Sequence, residues 1–295
     1  MRTAGALLLF LACGQTALAA AAAPLLKNGA GMYQRSDDEF VSAIVIDVQS
    51  GKQLYGYHTQ QIWPAASLSK LMTALVVLDH HPKWAKVVST VKADEVGGGS
   101  LAVKVGSRMT VQDMLYASIV GSANNTTMSL ARLSGLGKAG FVKYMNATAK
   151  ELGLTNTKFE EPTGLSEKNV TTAEEMAKLA QTAFSKILIR RAASTMAYRF
   201  TVTNPTVVKT VKNTNHLLTQ DDDLWVIGGK TGFIYEARYN LAVQMRPMAG
   251  GPQLMVVVLG APTKNASFDS AKSLATWAWR AYAWTPPQSV AALSK

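Results

Sequence analysis

The sequence predicts an α+β fold, in which one antiparallel sheet is built from strands at both ends of the chain and a helical lobe is inserted between them. Three observations predict it. β-Branched or alternating segments occupy residues 43–57 and recur beyond residue 198. The stretch between them is rich in Leu, Met and Ala and carries helix-start signals. No internal repeat divides the chain. At 295 residues, 48% hydrophobic and 17% charged, it can bury a sizeable core as one large domain.

Taken in order, residues 1–19 read as an export signal. Arg2 supplies the positive start, Ala4 to Ala12 the apolar stretch, and Ala17-Leu18-Ala19 the cleavage motif. The apolar stretch is too short to span a bilayer, so no transmembrane anchor is expected in the mature chain. The only cysteine, Cys13, lies inside this signal. The mature chain is therefore expected to hold neither a disulfide nor a thiol nucleophile.

Residues 20–38 read as a loose leader, 39–284 as the folded domain and 285–295 as a C-terminal tail. The domain opens on a hairpin. Ala43 to Val48 and Gln53 to Tyr57 flank the turn chemistry of Gln49-Ser50-Gly51-Lys52. Helices are expected over Ser67 to Leu78, from Thr110-Val111-Gln112-Asp113 onward, and over Asn125 to Leu133 and Ala139 to Leu152. Thr172-Ala173-Glu174-Glu175 is a capping-box pattern opening a helix through Phe184. Strands follow at Tyr198 to Val202, Val207 to Val211, Trp225 to Lys230, Leu241 to Met245 and Leu254 to Leu259. A last helix covers Ser267 to Trp284, with Trp277 and Trp279 expected in core packing.

The formal charge is +11, but the lysines and arginines are scattered. No basic run, zinc-finger, Rossmann or P-loop pattern occurs, so nucleic acid is not an expected partner. A basic surface suits an anionic polymer such as a bacterial wall, and equally a merely soluble protein. The four histidines lack metal-ligand spacing. Asp221-Asp222-Asp223 reads as a solvated loop and Gly97-Gly98-Gly99 as a flexible one. No metal or organic cofactor is expected.

Three short motifs carry chemistry: Ser67-Leu68-Ser69-Lys70, Ser122-Ala123-Asn124 and Lys230-Thr231-Gly232. In the first, residues i and i+3 share a helix face, so Lys70 can sit beside the Ser67 hydroxyl. To act as a base Lys70 must be neutral, and burial or a like charge such as Lys230 would lower its pKa. Ser89-Thr90-Val91-Lys92 is a second match, but in a β-branched run where i and i+3 face opposite sides. Ser122-Ala123-Asn124 lies between two helices, where a loop can aim a hydroxyl and an amide into a cleft; taken alone, an ordinary N-cap, Ser122 or Asn124 capping the helix from Asn125, is the better reading. Lys230 and Thr231 could bind a carboxylate, with Gly232 admitting a close backbone; a turn with an exposed lysine fits as well. Together the three supply a nucleophile, a base, a second hydroxyl and a cationic anchor, a set able to transfer acyl groups without a His-Asp pair.

With these motifs, Pro64 to Ala74, Glu161-Pro162-Thr163-Gly164-Leu165-Ser166, Asn213 to Leu217 and Lys230-Thr231-Gly232-Phe233 make the chain resemble the low-molecular-mass penicillin-binding proteins, the D-alanyl-D-alanine carboxypeptidases and endopeptidases. The likeness runs from about Ala43 to Trp284 and is nearest to the periplasmic endopeptidases. It implies a β-lactamase/transpeptidase-like fold, a periplasmic location, peptidoglycan stem peptides as substrates and β-lactams as acylating inhibitors. It also implies catalytic roles for Ser67, Lys70 and Ser122, and substrate-binding roles for Asn124, Lys230, Thr231, Gly232 and Phe233. The N–H groups of Ser67 and Phe233 would hold the oxyanion. Ala123, Ile234 and Arg238 depart from the family's pattern, and Arg238 is a candidate contact for an anionic peptide. A class A β-lactamase would add a Glu-x-x-x-Asn carboxylate; here Gly164 and Leu165 follow Glu160 and Glu161 at that spacing. A non-catalytic wall binder would not need all of these groups.

Overall fold

Period-2 alternation decides how the sheet divides the core. In Ser42–Asp47, Ala43 and Val45 join one buried cluster and Ile44 the other. The same parity splits Val256 and Val258 from Val257. A computed structural model describes residues 22–284, so the expected signal at 1–19 and the tail at 285–295 lie outside the described residues.

The main sheet has five strands: β1 (Ser42–Asp47), β2 (Gln53–Tyr57), β3 (Leu224–Ile234), β4 (Arg238–Pro247) and β5 (Leu254–Ala261). Their order is β3-β4-β5-β1-β2, antiparallel throughout. β5 is buried along its whole length, which explains its unbroken apolar run. The N-terminal hairpin thus pairs with the C-terminal strands, Val45 lying opposite Val256.

The helices are α1 (Ser69–Asp79), α2 (Val111–Val120), α3 (Asn124–Leu133), α4 (Gly137–Glu151), α5 (Ala173–Ser185), α6 (Ile187–Ala193), α7 (His216–Thr219) and α8 (Lys264–Ala281). Phe268, Ala271, Leu274, Ala275 and Ala278 of α8 cover one sheet face. The other face packs on the helical lobe, where Met176, Leu179, Ala180 and Ala183 of α5 meet Met255, Val257 and Leu259. The fold is therefore the expected sheet with a helical lobe inserted between β2 and β3. Thr110 caps α2 as expected, its Oγ1 accepting from Asp113 N at 3.0 Å while Thr110 N donates to the Asp113 carboxylate at 2.9 Å.

Five details differ from expectation. The strands Ala197–Val202 and Val207–Lys212 form a separate hairpin, because Phe200 and Val202 pack on the helical lobe rather than on the sheet. The short α6 follows α5 after an extended Lys186. The stretch read as a loose leader is docked: Leu25–Leu26 pairs with Tyr282–Ala283, and the Trp277 indole donates to Gly31 O at 2.9 Å. For the same reason α8 stops at Ala281 and yields to a strand. Asp221 and Asp223 are not simply solvated either, since Lys272 of α8 bridges them at 2.7 and 3.3 Å.

Candidate active site

The three motifs converge where the edge strand β3 passes the start of α1. Ser67 sits in a 3-10 turn, Ala66–Leu68, that runs directly into α1. Lys70 follows one turn later and is fully buried. Its Nζ donates to Ser67 Oγ at 2.8 Å, to Asn124 Oδ1 at 2.7 Å and to the Thr163 carbonyl at 2.6 Å. An amide oxygen and a peptide carbonyl can only accept. They fix two N–H bonds and leave the third position of the nitrogen for the Ser67 hydroxyl. Deprotonated, Lys70 would therefore present its lone pair to Ser67. Burial lowers the Lys70 pKa to about 7, with the Glu161 carboxylate opposing that shift. The expected lowering by Lys230 is not among the causes; burial does it.

Ser122 lies between α2 and α3 with φ 58, a left-handed conformation that non-glycine residues seldom adopt. The N-cap of α3 is Ala123, with no side-chain cap bond, so neither Ser122 nor Asn124 serves as an ordinary cap. The Ser122 hydroxyl accepts from Lys230 Nζ at 2.9 Å, and that nitrogen also donates to Thr231 O at 2.8 Å. Ser122 is thus linked to Lys230 and makes no direct hydrogen bond to Lys70. Lys230 stands mid-strand and only 1% exposed, which rules out a turn with an exposed lysine. Burial, then the Lys70 charge, holds its pKa well below the ordinary lysine value.

Thr231 shares a hydrogen bond with Thr214, Oγ1 to Oγ1 at 2.6 Å. Gly232 runs close against the Ser67 turn: a Cβ there would lie 3.1 Å from Ala65 O and 3.2 Å from Ser67 N, a tight contact. Phe233 is half exposed and stacks on Tyr239 at 4.4 Å between ring centroids. All of these border one cavity of about 540 Å³, within the size range of ligand sites. Ser67, Ser122, Asn124, Thr231, Gly232 and Phe233 line it. Lys70 lies beneath its floor, behind Ser67.

Sequence reasoning missed two contributors. The glycine run 97–99 is not a free loop. Gly97 O accepts from Asn124 Nδ2 at 2.9 Å, Gly99 O accepts from Asn124 N at 2.7 Å, and Gly98 and Gly99 line the cavity. The signal was positional only, since nothing in three glycines points to Asn124. Thr214 lies in the Asn213 to Leu217 segment, to which the resemblance gives no role. Arg238 is not among the cavity-lining residues; its φ of 52 is a left-handed conformation that ordinarily favours glycine. Ser89-Thr90-Val91-Lys92 lies outside the cavity as well.

Residues 33–263 match the family described as D-alanyl-D-alanine carboxypeptidase. A D-alanyl-D-alanine endopeptidase of Escherichia coli is 38% identical over 239 residues, covering 80% of this chain and 76% of that protein. One from Pseudomonas aeruginosa is 36% identical, covering 88% and 83%. Among solved structures, the Streptomyces K15 DD-transpeptidase superposes with a TM-score of 0.77 at 25% identity, covering 84% of this chain and all of that one. The fold is thus of the penicillin-binding, transpeptidase-like type. By this family match, and by relatives identical at more than a third of the aligned residues across most of their length, the chain belongs to the D-alanyl-D-alanine carboxypeptidase family of serine peptidases.

Proposed function

We propose that this DD-peptidase is an endopeptidase of the bacterial periplasm that hydrolyses D-alanyl cross-links between peptidoglycan stem peptides, with Ser67 as nucleophile. The observation that carries the site assignment is the buried Lys70 amine, 2.8 Å from Ser67 Oγ and otherwise bound only to acceptors. The endopeptidase preference is supported by the names of the two curated relatives. Periplasmic location rests on the signal-like residues 1–19. Among the described residues, no helix is long and apolar enough to cross a membrane.

In the proposed reaction, Ser67 Oγ bonds to the carbonyl carbon of a D-alanine residue while its proton passes to Lys70 Nζ. The N–H groups of Ser67 and Phe233 stabilise the oxyanion. The C–N bond breaks and the leaving amine takes a proton through Ser122 and Lys230. Water then adds to the ester, Ser67 leaves as the alcohol and the product departs as a carboxylic acid. Lys230 and Thr231 hold a substrate carboxylate, and Asn124 holds Lys70 and the substrate backbone. A β-lactam acylates Ser67 by the same first step.

The test is incubation of the chain from Ala20 onward with cross-linked muropeptide dimers and with monomeric pentapeptides, products being read by mass spectrometry. Dimers are expected to yield monomers, and Ser67→Ala to abolish this. Release of terminal D-alanine alone would make the enzyme a carboxypeptidase instead.

A further inference from the structure

We infer that Glu161 is a positioning residue for acyl transfer: its carboxylate shapes the 161–166 loop so that the Thr163 carbonyl meets Lys70, and its charge sets the field in which Lys70 exchanges its proton. This rests on the DD-peptidase reading of the site. Glu161 Oε2 accepts from Thr163 N at 2.7 Å and Thr163 Oγ1 at 2.6 Å. Glu161 Oε1 accepts from Gly164 N at 2.5 Å, Leu165 N at 2.8 Å, Ser166 N at 3.4 Å and Asn169 Nδ2 at 3.1 Å. Four successive backbone N–H groups therefore wrap one carboxylate, an anion nest whose anion is the protein's own.

Those six donors exceed the roughly four lone-pair sites of a carboxylate. Glu161 has no acceptor left for a reacting water, so it is not a second base. It forms no salt bridge with a lysine or arginine among the described residues. Its consequence is geometric. The wrapped loop lies against the Ser67 turn so closely that a Cβ on Gly164 would come within 1.9 Å of Ala66 O. Asn169 ties the loop to α1 through Ser69 Oγ at 3.1 Å, and Thr73 Oγ1 donates to Pro162 O at 2.6 Å. The Thr163 carbonyl is thereby held 2.6 Å from Lys70 Nζ.

Lys70 faces Ser67 from its own turn, neutral Asn124 from α3, Lys230 from β3 and the Glu161 loop. Glu161 is the charge that opposes burial there. Removing its charge leaves burial unopposed, so Lys70 gives up its proton at lower pH. The acid limb of acylation must then move to lower pH.

The experiment measures the second-order rate of labelling by a fluorescent penicillin between about pH 5 and 9, with Ser67→Ala as the blank. For Glu161→Gln the plateau is expected to fall about 10- to 100-fold, with the acid limb displaced to lower pH. A fallen plateau with the limb unmoved or raised is the behaviour of a mere loop brace and overturns the inference. An unchanged plateau overturns it too. Thr163→Val keeps the charge and removes one donor, so its plateau should fall about 3- to 10-fold, with Thr163→Ser restoring it. A wild-type rate in Thr163→Val refutes the inference even if Glu161→Gln fails to fold. Wild-type protein that takes no label sinks the parent reading, whereas labelled wild type with an unshifted Glu161→Gln sinks this one alone.

Discussion

Two buried lysines face each other across the site, and their surroundings differ. Lys70, on the helix side, has all three donor positions matched by Ser67, Asn124 and Thr163. Lys230, on the strand side, has two protein acceptors, Ser122 and the Thr231 carbonyl. A lysine ammonium carries three N–H donors, so Lys230 keeps one for a ligand. Burial works against both charges, and the Lys70 charge works further against that of Lys230. On the proposed roles, a substrate carboxylate arriving at Lys230 and Thr231 favours the charge there, while burial leaves Lys70 able to act as the free amine near pH 7. On this proposed assignment the saturated lysine takes the Ser67 proton, and the unsaturated one holds the substrate and passes a proton to the leaving amine through Ser122.

Replacing each lysine separates the two roles most sharply. Lys70→Met should lower the acylation rate by about 10²- to 10⁴-fold, the range of a lost general base, mainly in kcat. Lys230→Met should cost roughly 10- to 100-fold in kcat/KM, divided between a raised KM for substrates bearing a carboxylate and a smaller fall in kcat from the lost relay to the leaving amine. Steady-state kinetics on a D-alanyl peptide reads both. Equal losses in kcat would break the comparison.

The two halves also differ in how tightly glycine is required. Gly164, on the Lys70 side, has φ +87 and would drive a Cβ to 1.9 Å from a backbone oxygen. Gly164→Ala should lose about 2–4 kcal/mol of stability, seen as a Tm drop of roughly 4–16 °C. Gly232, on the Lys230 side, would place its Cβ 3.1 Å from Ala65 O, a contact that small shifts relieve. Gly232→Ala should cost about 1 kcal/mol. A reversed order in calorimetry would show that the helix-side loop, not the strand, is the yielding part.

The helix side was the more legible in sequence. A Ser-x-x-Lys at a helix start places its two groups by periodicity, and the structure puts them 2.8 Å apart. Lys230 on a strand was legible only through its motif, because alternation says which face a side chain takes and not what lies opposite. Ser122 could not be separated from a helix cap, since residue type and loop position are the same for both. The Glu161 nest was hidden for another reason. Its partners are backbone N–H groups, which every sequence carries and no residue letter marks. The docked leader depends on pairing between Leu25–Leu26 and Tyr282–Ala283, too short and too distant in sequence to leave a pattern.

The pH dependence sharpens the comparison further. Acylation should rise as pH climbs through about 7, where Lys70 loses its proton. The Lys70 pKa is lowered in the folded state, so between about 7 and the ordinary lysine value of 10.5 the unfolded chain binds more protons than the folded one. Stability from this group therefore rises with pH across that window and is least below it, with a slope on the order of 1 kcal/mol per pH unit. Lys70→Met should flatten the rise in urea midpoints between about pH 7 and 9. A slope that survives Lys70→Met but vanishes in Lys230→Met would assign the titrating group to the strand side.

The smallest expected effect lies at the rim of the Lys230 half. Thr214 Oγ1 and Thr231 Oγ1 share a hydrogen bond of 2.6 Å, and both residues line the cavity. One of the two hydroxyls spends its proton on the other, which leaves the second free to donate to a substrate carboxylate. Thr214→Val keeps the volume and removes the bond. Thr231 is already half-buried beside Lys230, so its rotamer is the only freedom gained. A loss of about 2- to 5-fold in KM follows, with kcat unchanged. Stopped-flow acylation on carboxylate and amide versions of one peptide resolves this, because only the carboxylate form should respond. An equal loss on both would place Thr214 in shaping the cavity, and the Lys230 half would then bind its ligand through the lysine alone.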